Sequence, residues 1–180
     1  IISSSLFSAL LSIIKYGADT NDVLPAITYW LMGSLSFSTS SIVWNLTIPM
    51  LSGILILIFF SKYLNALSLG DEEAKALGVN TKLLKLIIIL VATLISALSV
   101  ILAGIIGWIG LIIPHITRLI FGADNKVILP MSALIGAIFL LLVDNVSKLI
   151  FSFEIPIGIV TAIIGIPIFI FVLKNAKKGF

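Results

Sequence analysis

Asp144 and Lys148 stand four residues apart within a long apolar run. A carboxylate in such a run is by default a functional candidate, as a proton carrier or an ion ligand. A cation one helical turn further on offers the simpler account, an i,i+4 ion pair. A proton relay would need more acids or histidines than this chain supplies. His115, the single histidine, and Arg118 end the stretch GIIGWIGLIIPHITR, three residues apart and so on one helical face. A metal site needs several donors, and there is no second histidine and no cysteine, so no metal site is expected. His115 then reads as structural and Arg118 as an interfacial anchor whose stem can snorkel. Asp71, Glu72 and Glu73 form an acidic run in LGDEEAKALGVN. Glu154 shares the segment 148–156 with Lys148, and the two could meet a partner there. No GxxxxGK[ST] loop occurs, so any coupling to ATP must come from another chain. The expectation is a chain with no catalytic residue, no resident cofactor and no nucleic-acid partner.

The elements that would carry these groups are membrane helices. The 180 residues are 60% hydrophobic and 11% charged, with mean hydropathy +1.28. A water-soluble domain of that size could not hide so much apolar surface. Backbone groups in lipid must be satisfied internally, and the apolar runs are continuous rather than alternating, which selects helices over a β-barrel. The chain opens inside an apolar run with no basic leader, so it is expected to begin partway through a larger protein.

Ile1 to Tyr16, rich in serine (Ser4, Ser5 and Ser8 among them), reads as the remainder of a span, its hydroxyls suited to tight packing or a wet face. Val23 to Met32 reads as an interfacial helix by its aromatics, and Gly33 to Ser41 as a loop. Full spans are expected over Ile42–Phe60, Leu83–Ala103, Val127–Ser147 and Ile157–Leu173. The wet stretch is 61–82, with a short helix whose carboxylates favour the helix dipole and whose end is marked by Gly78. Ala74 and Leu77 would give that helix a small apolar face, a shape suited to docking in another protein's groove, although an ordinary loop would look similar.

Gly104, Gly107 and Gly110 recur every third residue before Pro114. They make a smooth strip along a helix, or a bend. The apolar part of this element is roughly 22 Å long, short of the roughly 30 Å hydrocarbon core, so a short or broken helix is expected. In the last span Gly158, Thr161, Gly165 and Pro167 suggest packing, or the wall of a pathway.

Placing 61–82 on the cytoplasmic side puts nine of the eleven cations inside, leaving only Lys15 and Lys148 outside. The short element must then also cross, and the C-terminus is cytoplasmic.

Together these segments resemble the FecCD-type permeases of ABC importers for iron siderophores, haem or cobalamin. LGDEEAKALGVN resembles the family's coupling segment. GIIGWIGLIIPHITRLIFGADNKVILP and VDNVSKLIFSFEIPIGIVTAIIGIPIFIFVL resemble its two signatures, and YWLMGSLS matches an earlier segment. The departures are Trp108 for phenylalanine, Asn125–Lys126 for His–Arg and Lys148 for arginine, the last keeping the charge but losing the bidentate fork.

The resemblance implies an all-α, polytopic transmembrane bundle, the C-terminal half of a ten-helix permease in the cell membrane, with 1–180 one permease domain. It implies a homodimer, cytoplasmic ATPase subunits and an external substrate-binding protein. Leu69, Gly70, Asp71, Glu72, Ala74, Leu77 and Gly78 would couple to the ATPase, and Lys148 with Glu154 would meet the binding protein. The opening helix and parts of the last span would lie near the pathway. A proton-coupled secondary transporter, suggested by Asp144 and the broken helix, is the alternative.

Overall fold

The structure, a computed structural model, describes residues 2–36, 38–149 and 154–176, with side chains through Ile170. It is all-helical. The elements are α1 (Ile2–Gly17), α2 (Val23–Leu31), α3 (Ser40–Leu67), α4 (Asp71–Ala76), α5 (Thr81–Ala103), α6 (Ile109–Phe121), α7 (Asn125–Leu149) and α8 (Ile157–Ala176). Among the described residues, α3, α5 and α7 are long and apolar enough to cross a membrane.

Helix ends follow local chemistry. Asn80 Oδ1 accepts from the Leu83 backbone N–H at 3.1 Å and starts α5. Thr39 plays the same part for α3, more weakly, at 3.5 Å. At the end of α4, Gly78 N donates to Lys75 O (2.9 Å) and Val79 N to Ala74 O (3.0 Å), the paired bonds of a Schellman ending. α3 runs on as helix to Leu67, well past Phe60, so the connection to α5 is confined to 68–80.

Packing centres on α3 and α7, which lie against each other. α5 flanks α3, α6 and α8 flank α7, α6 and α8 touch, and α4 tucks against the ends of α3 and α5. Two crossings depend on glycine. A methyl on Gly53 would meet Ile95 of α5 at 2.8 Å, and one on Gly165 would meet Ile112 of α6 at 2.5 Å. Val143, Ile157 and Val160 form the core cluster, with Phe139, Leu140 and Ile164 against it. Outside this core the surface is oily. Leu86, Leu90, Leu94 and Ile101 on α5, and Leu134, Ile138, Leu141 and Leu142 on α7, are at least half exposed. Contiguous apolar faces of this size belong against lipid or another protein. No residue of α1 is buried.

The broken element resolves as a bend, not a continuous strip. α5 stops at Ala103, residues 104–108 are non-helical, and α6 begins at Ile109. Of the three glycines only Gly110 lies on a helix. α6 has 13 residues, roughly 20 Å of rise, and Pro114 sits in its interior. Lys148 lies on α7, which continues through Leu149, rather than in one connecting segment with Glu154. In the threading, Lys177 and Lys178 lie outside the described residues.

Candidate functional site

The polar groups gather at opposite ends of α7. At its start one pair joins α4 to α5 and an amide of α3 bonds to the α6–α7 turn. Asp71 opens α4 and pairs with Lys85 of α5 at 2.5 Å, both side chains about half exposed. Ala74 is fully buried, whereas Leu69 and Leu77 are 64% and 66% exposed. The apolar face expected from Ala74 and Leu77 is therefore divided. Ala74 faces inward and anchors α4 to the bundle, and Leu77 with Leu69 faces outward. Glu72 and Glu73 are exposed beside them.

A second tie comes from Asn65, near the end of α3. Its Nδ2 donates to Asp124 Oδ1 at 2.6 Å, and its Oδ1 accepts from Asn125 N (2.9 Å) and Asn125 Nδ2 (2.8 Å). Asp124 Oδ1 also accepts from the Lys126 backbone N–H at 2.9 Å, and so caps α7. The Asn65 amide, then the Lys126 N–H, hold the Asp124 carboxyl below its ordinary range. A carboxylate with a depressed pKa stabilises the fold above its unfolded-state pKa, and that stabilisation disappears as pH falls through the lower folded value. Asp124→Ala should therefore speed amide hydrogen exchange in the first turn of α7 at neutral pH. The difference from wild type should shrink only in strongly acid solution. Sequence reasoning passes over Asn65, because a lone amide late in a helix has no signature; only the fold brings it to a turn some sixty residues away.

At the far end of α7, Lys148 Nζ donates to Asp144 Oδ2 at 2.8 Å. This is the i,i+4 pair anticipated from spacing. Glu154 is also engaged, accepting from Ser36 Oγ at 2.6 Å. The 32–36 segment links several elements here. Ser34 N donates to Ala103 O (3.0 Å), Ile157 N to Gly33 O (2.8 Å) and Gly158 N to Met32 O (3.1 Å). Ser147 Oγ donates to Ile155 O. The first free N–H groups of α8 thus find their acceptors at Gly33 and Met32, 124 and 126 residues earlier in the chain. Gly104 lies in the same junction. It is buried, with φ +67, and an added Cβ would stand 2.1 Å from Trp30 O. Gly158 is as tight, 2.2 Å from Met32 O.

The remaining candidates divide by burial. His115 Nδ1 lies 2.7 Å from Leu111 O, and its ring meets Phe169 edge to face at 5.9 Å. The ring thus touches α8 while the residue stays exposed. Arg118 is exposed three residues from the end of α6. Thr161 is fully buried, with Oγ1 donating to Gly158 O at 3.0 Å, and Gly165 is buried against Ile112 and Trp108. Ser4, Ser5 and Ser8 are exposed on α1, as are Gly107, Gly110 and Pro167. Trp108 departs from the ordinary backbone map at φ +67, which at a non-glycine residue marks a strained link into α6.

Residues 1–175 match the model of the FecCD transport family. The molybdate import system permease protein MolB of Haemophilus influenzae is 44% identical over 178 residues, 99% of this chain and 53% of that protein. A Helicobacter pylori permease assigned to iron chelatin transport is 40% identical, covering 98% of this chain and 54% of its own length. A solved structure of an inward-facing ABC transporter, assigned to the metal-chelate type, superposes with TM-score 0.89 at 45% identity, covering 97% of this chain and 56% of that one. The chain spans about half the length of the relatives it matches.

Proposed function

The chain belongs to the FecCD transport family, and from that premise we propose that it forms the C-terminal half of a membrane permease in an ATP-driven importer. Its cargo is an iron chelate, haem or a cobalamin-like molecule, delivered by an external binding protein. The permease works in the cytoplasmic membrane as a dimer of identical subunits. The cation bias supports an orientation with the α4 end and the C-terminus in the cytoplasm.

The observation that carries the reading is α4. Six residues, Asp71–Ala76, form a helix held at one end of an apolar bundle. The buried Ala74 methyl and the Asp71–Lys85 pair fix its orientation. Leu69, Glu72 and Leu77 then point away from the bundle, ready to dock on an ATPase subunit. Such an element transmits motion only if it is rigid relative to the long helices. α4 packs against both α3 and α5, and Asn65 extends the tie to α7. Movement of the ATPases would then shift α3, α5 and α7 together. At the other end the backbone junction of 32–34, Gly104 and Gly158 keeps α5 and α8 in register while Lys148 meets a carboxylate of the binding protein. No bond is made or broken in the cargo; the chain contributes shape, and the ATPase the free energy.

The test is uptake by cells carrying the complete transporter, with labelled ferric siderophore, haem, cobalamin and molybdate offered in turn. Uptake should stop on ATP depletion and survive a protonophore. The reverse pattern would favour a proton-coupled carrier, and accumulation of molybdate alone would move the cargo to that of the Haemophilus relative.

A further inference from the structure

On the proposed reading Lys148 is offered to an acidic partner, yet in this structure it is already occupied. Its ammonium holds Asp144 at 2.8 Å, one turn back on the same helix. The lysine side chain is 41% exposed and the aspartate 17%, so the cation faces outward with the acid behind it. Glu154 lies within electrostatic reach as well, bonded to Ser36. On the proposed threading the external segments carry Asp19, Asp22, Asp144 and Glu154 against Lys15 and Lys148. An approaching carboxylate therefore meets a surface whose principal cation is already neutralised.

We infer that Asp144 is an internal competitor for Lys148, occupying the place of the binding protein's carboxylate and setting how tightly that protein docks. The inference rests on the docking role proposed for Lys148 and adds a residue to it. The chemistry permits sharing as well as exchange. An ammonium has three donors, and Asp144 uses one, so an incoming carboxylate can take another while Asp144 stays within reach. In either case the partner gains less than it would from an unpaired lysine. A partner that must leave after each delivery is served by such a limit.

The experiment measures binding of the system's own ligand-free binding protein to the complete transporter in lipid nanodiscs, at low and high salt. Asp144→Asn keeps the shape and removes the charge. It should tighten docking about three- to tenfold, chiefly through faster association, and make it more salt-sensitive. Lys148→Met should weaken docking by roughly tenfold or more, and Asp144→Asn should add nothing in that background. Lys148→Arg offers five donors in a planar fork; it can hold both carboxylates, and it too should tighten docking. If Lys148→Met weakens docking but neither Asp144→Asn nor Lys148→Arg strengthens it, Asp144 is a structural partner and the inference fails. If Lys148→Met has no effect, the docking assignment itself is wrong. Melting temperatures of the purified variants separate these results from misfolding.

Discussion

Gly104→Ala should leave little folded protein in the membrane, whereas Gly107→Ala and Gly110→Ala should accumulate normally. At Gly104 the backbone has φ +67 and ψ −155, a conformation adopted almost only by glycine and costing another residue on the order of 1–3 kcal/mol. The new methyl would also stand 2.1 Å from Trp30 O and 3.2 Å from Gly33 Cα. A flexible side chain could turn aside, but this obstacle is backbone. It cannot retreat freely, because the carbonyls of Met32 and Gly33 hold the N–H groups of Gly158 and Ile157. Moving 30–33 would break the start of α8. Strain and overlap together should amount to roughly 3–5 kcal/mol, a large part of a typical folding free energy. Gly107 and Gly110 have nothing within 4 Å of the added carbon and no positive φ. Fluorescence-detected gel filtration and thermal unfolding in detergent would read the contrast, and equal behaviour of the three variants would show that the junction is wrongly described.

Leu77→Asp should abolish both copurification of the ATPase subunits and uptake, with the permease itself still folded. Leu77 is 66% exposed at the end of α4, so it contributes little to this chain's own core. If it fills a pocket on the ATPase, a carboxylate there is a buried, unpaired charge. The penalty of several kcal/mol would weaken association by roughly a hundredfold or more. Glu72→Lys should act in the same direction through reversed charge while leaving the backbone alone. Gly70 is a less clean probe. Its φ of +122 and the 2.4 Å approach of Glu73 Oε2 to an added Cβ mean that Gly70→Arg would disturb α4 directly. An intact ATPase complex with Leu77→Asp would remove α4 from the coupling surface. An altered permease melting temperature would show that Leu77 supports the fold instead.

The two results draw on different levels of information. A strongly apolar composition with continuous runs was enough to require membrane helices, since lipid offers the backbone no other partners. Spacing was enough for the Asp144–Lys148 pair and for the helix in 69–80, because i,i+4 contacts and end caps are local. The cation distribution alone carries the side of the membrane proposed for α4, again without tertiary information. What spacing could not do was rank residues of one type. Gly104, Gly107 and Gly110 are equivalent in a repeat of three, yet only the first is pressed against backbone, the Trp30 carbonyl and Gly33 Cα, because only there do the ends of α2, α5 and α8 meet. Ala74 and Leu77 share a face on a helical wheel, but α3 and α5 cover one and leave the other open. Asn65, Ser36 and Ser147 acquired roles from side-chain and backbone groups brought to them by folding. Local chemistry, which depends on neighbours a turn away, was written in the sequence; the contacts that pin helix to helix depend on which chain segments approach, and that was decided by the packing of the bundle.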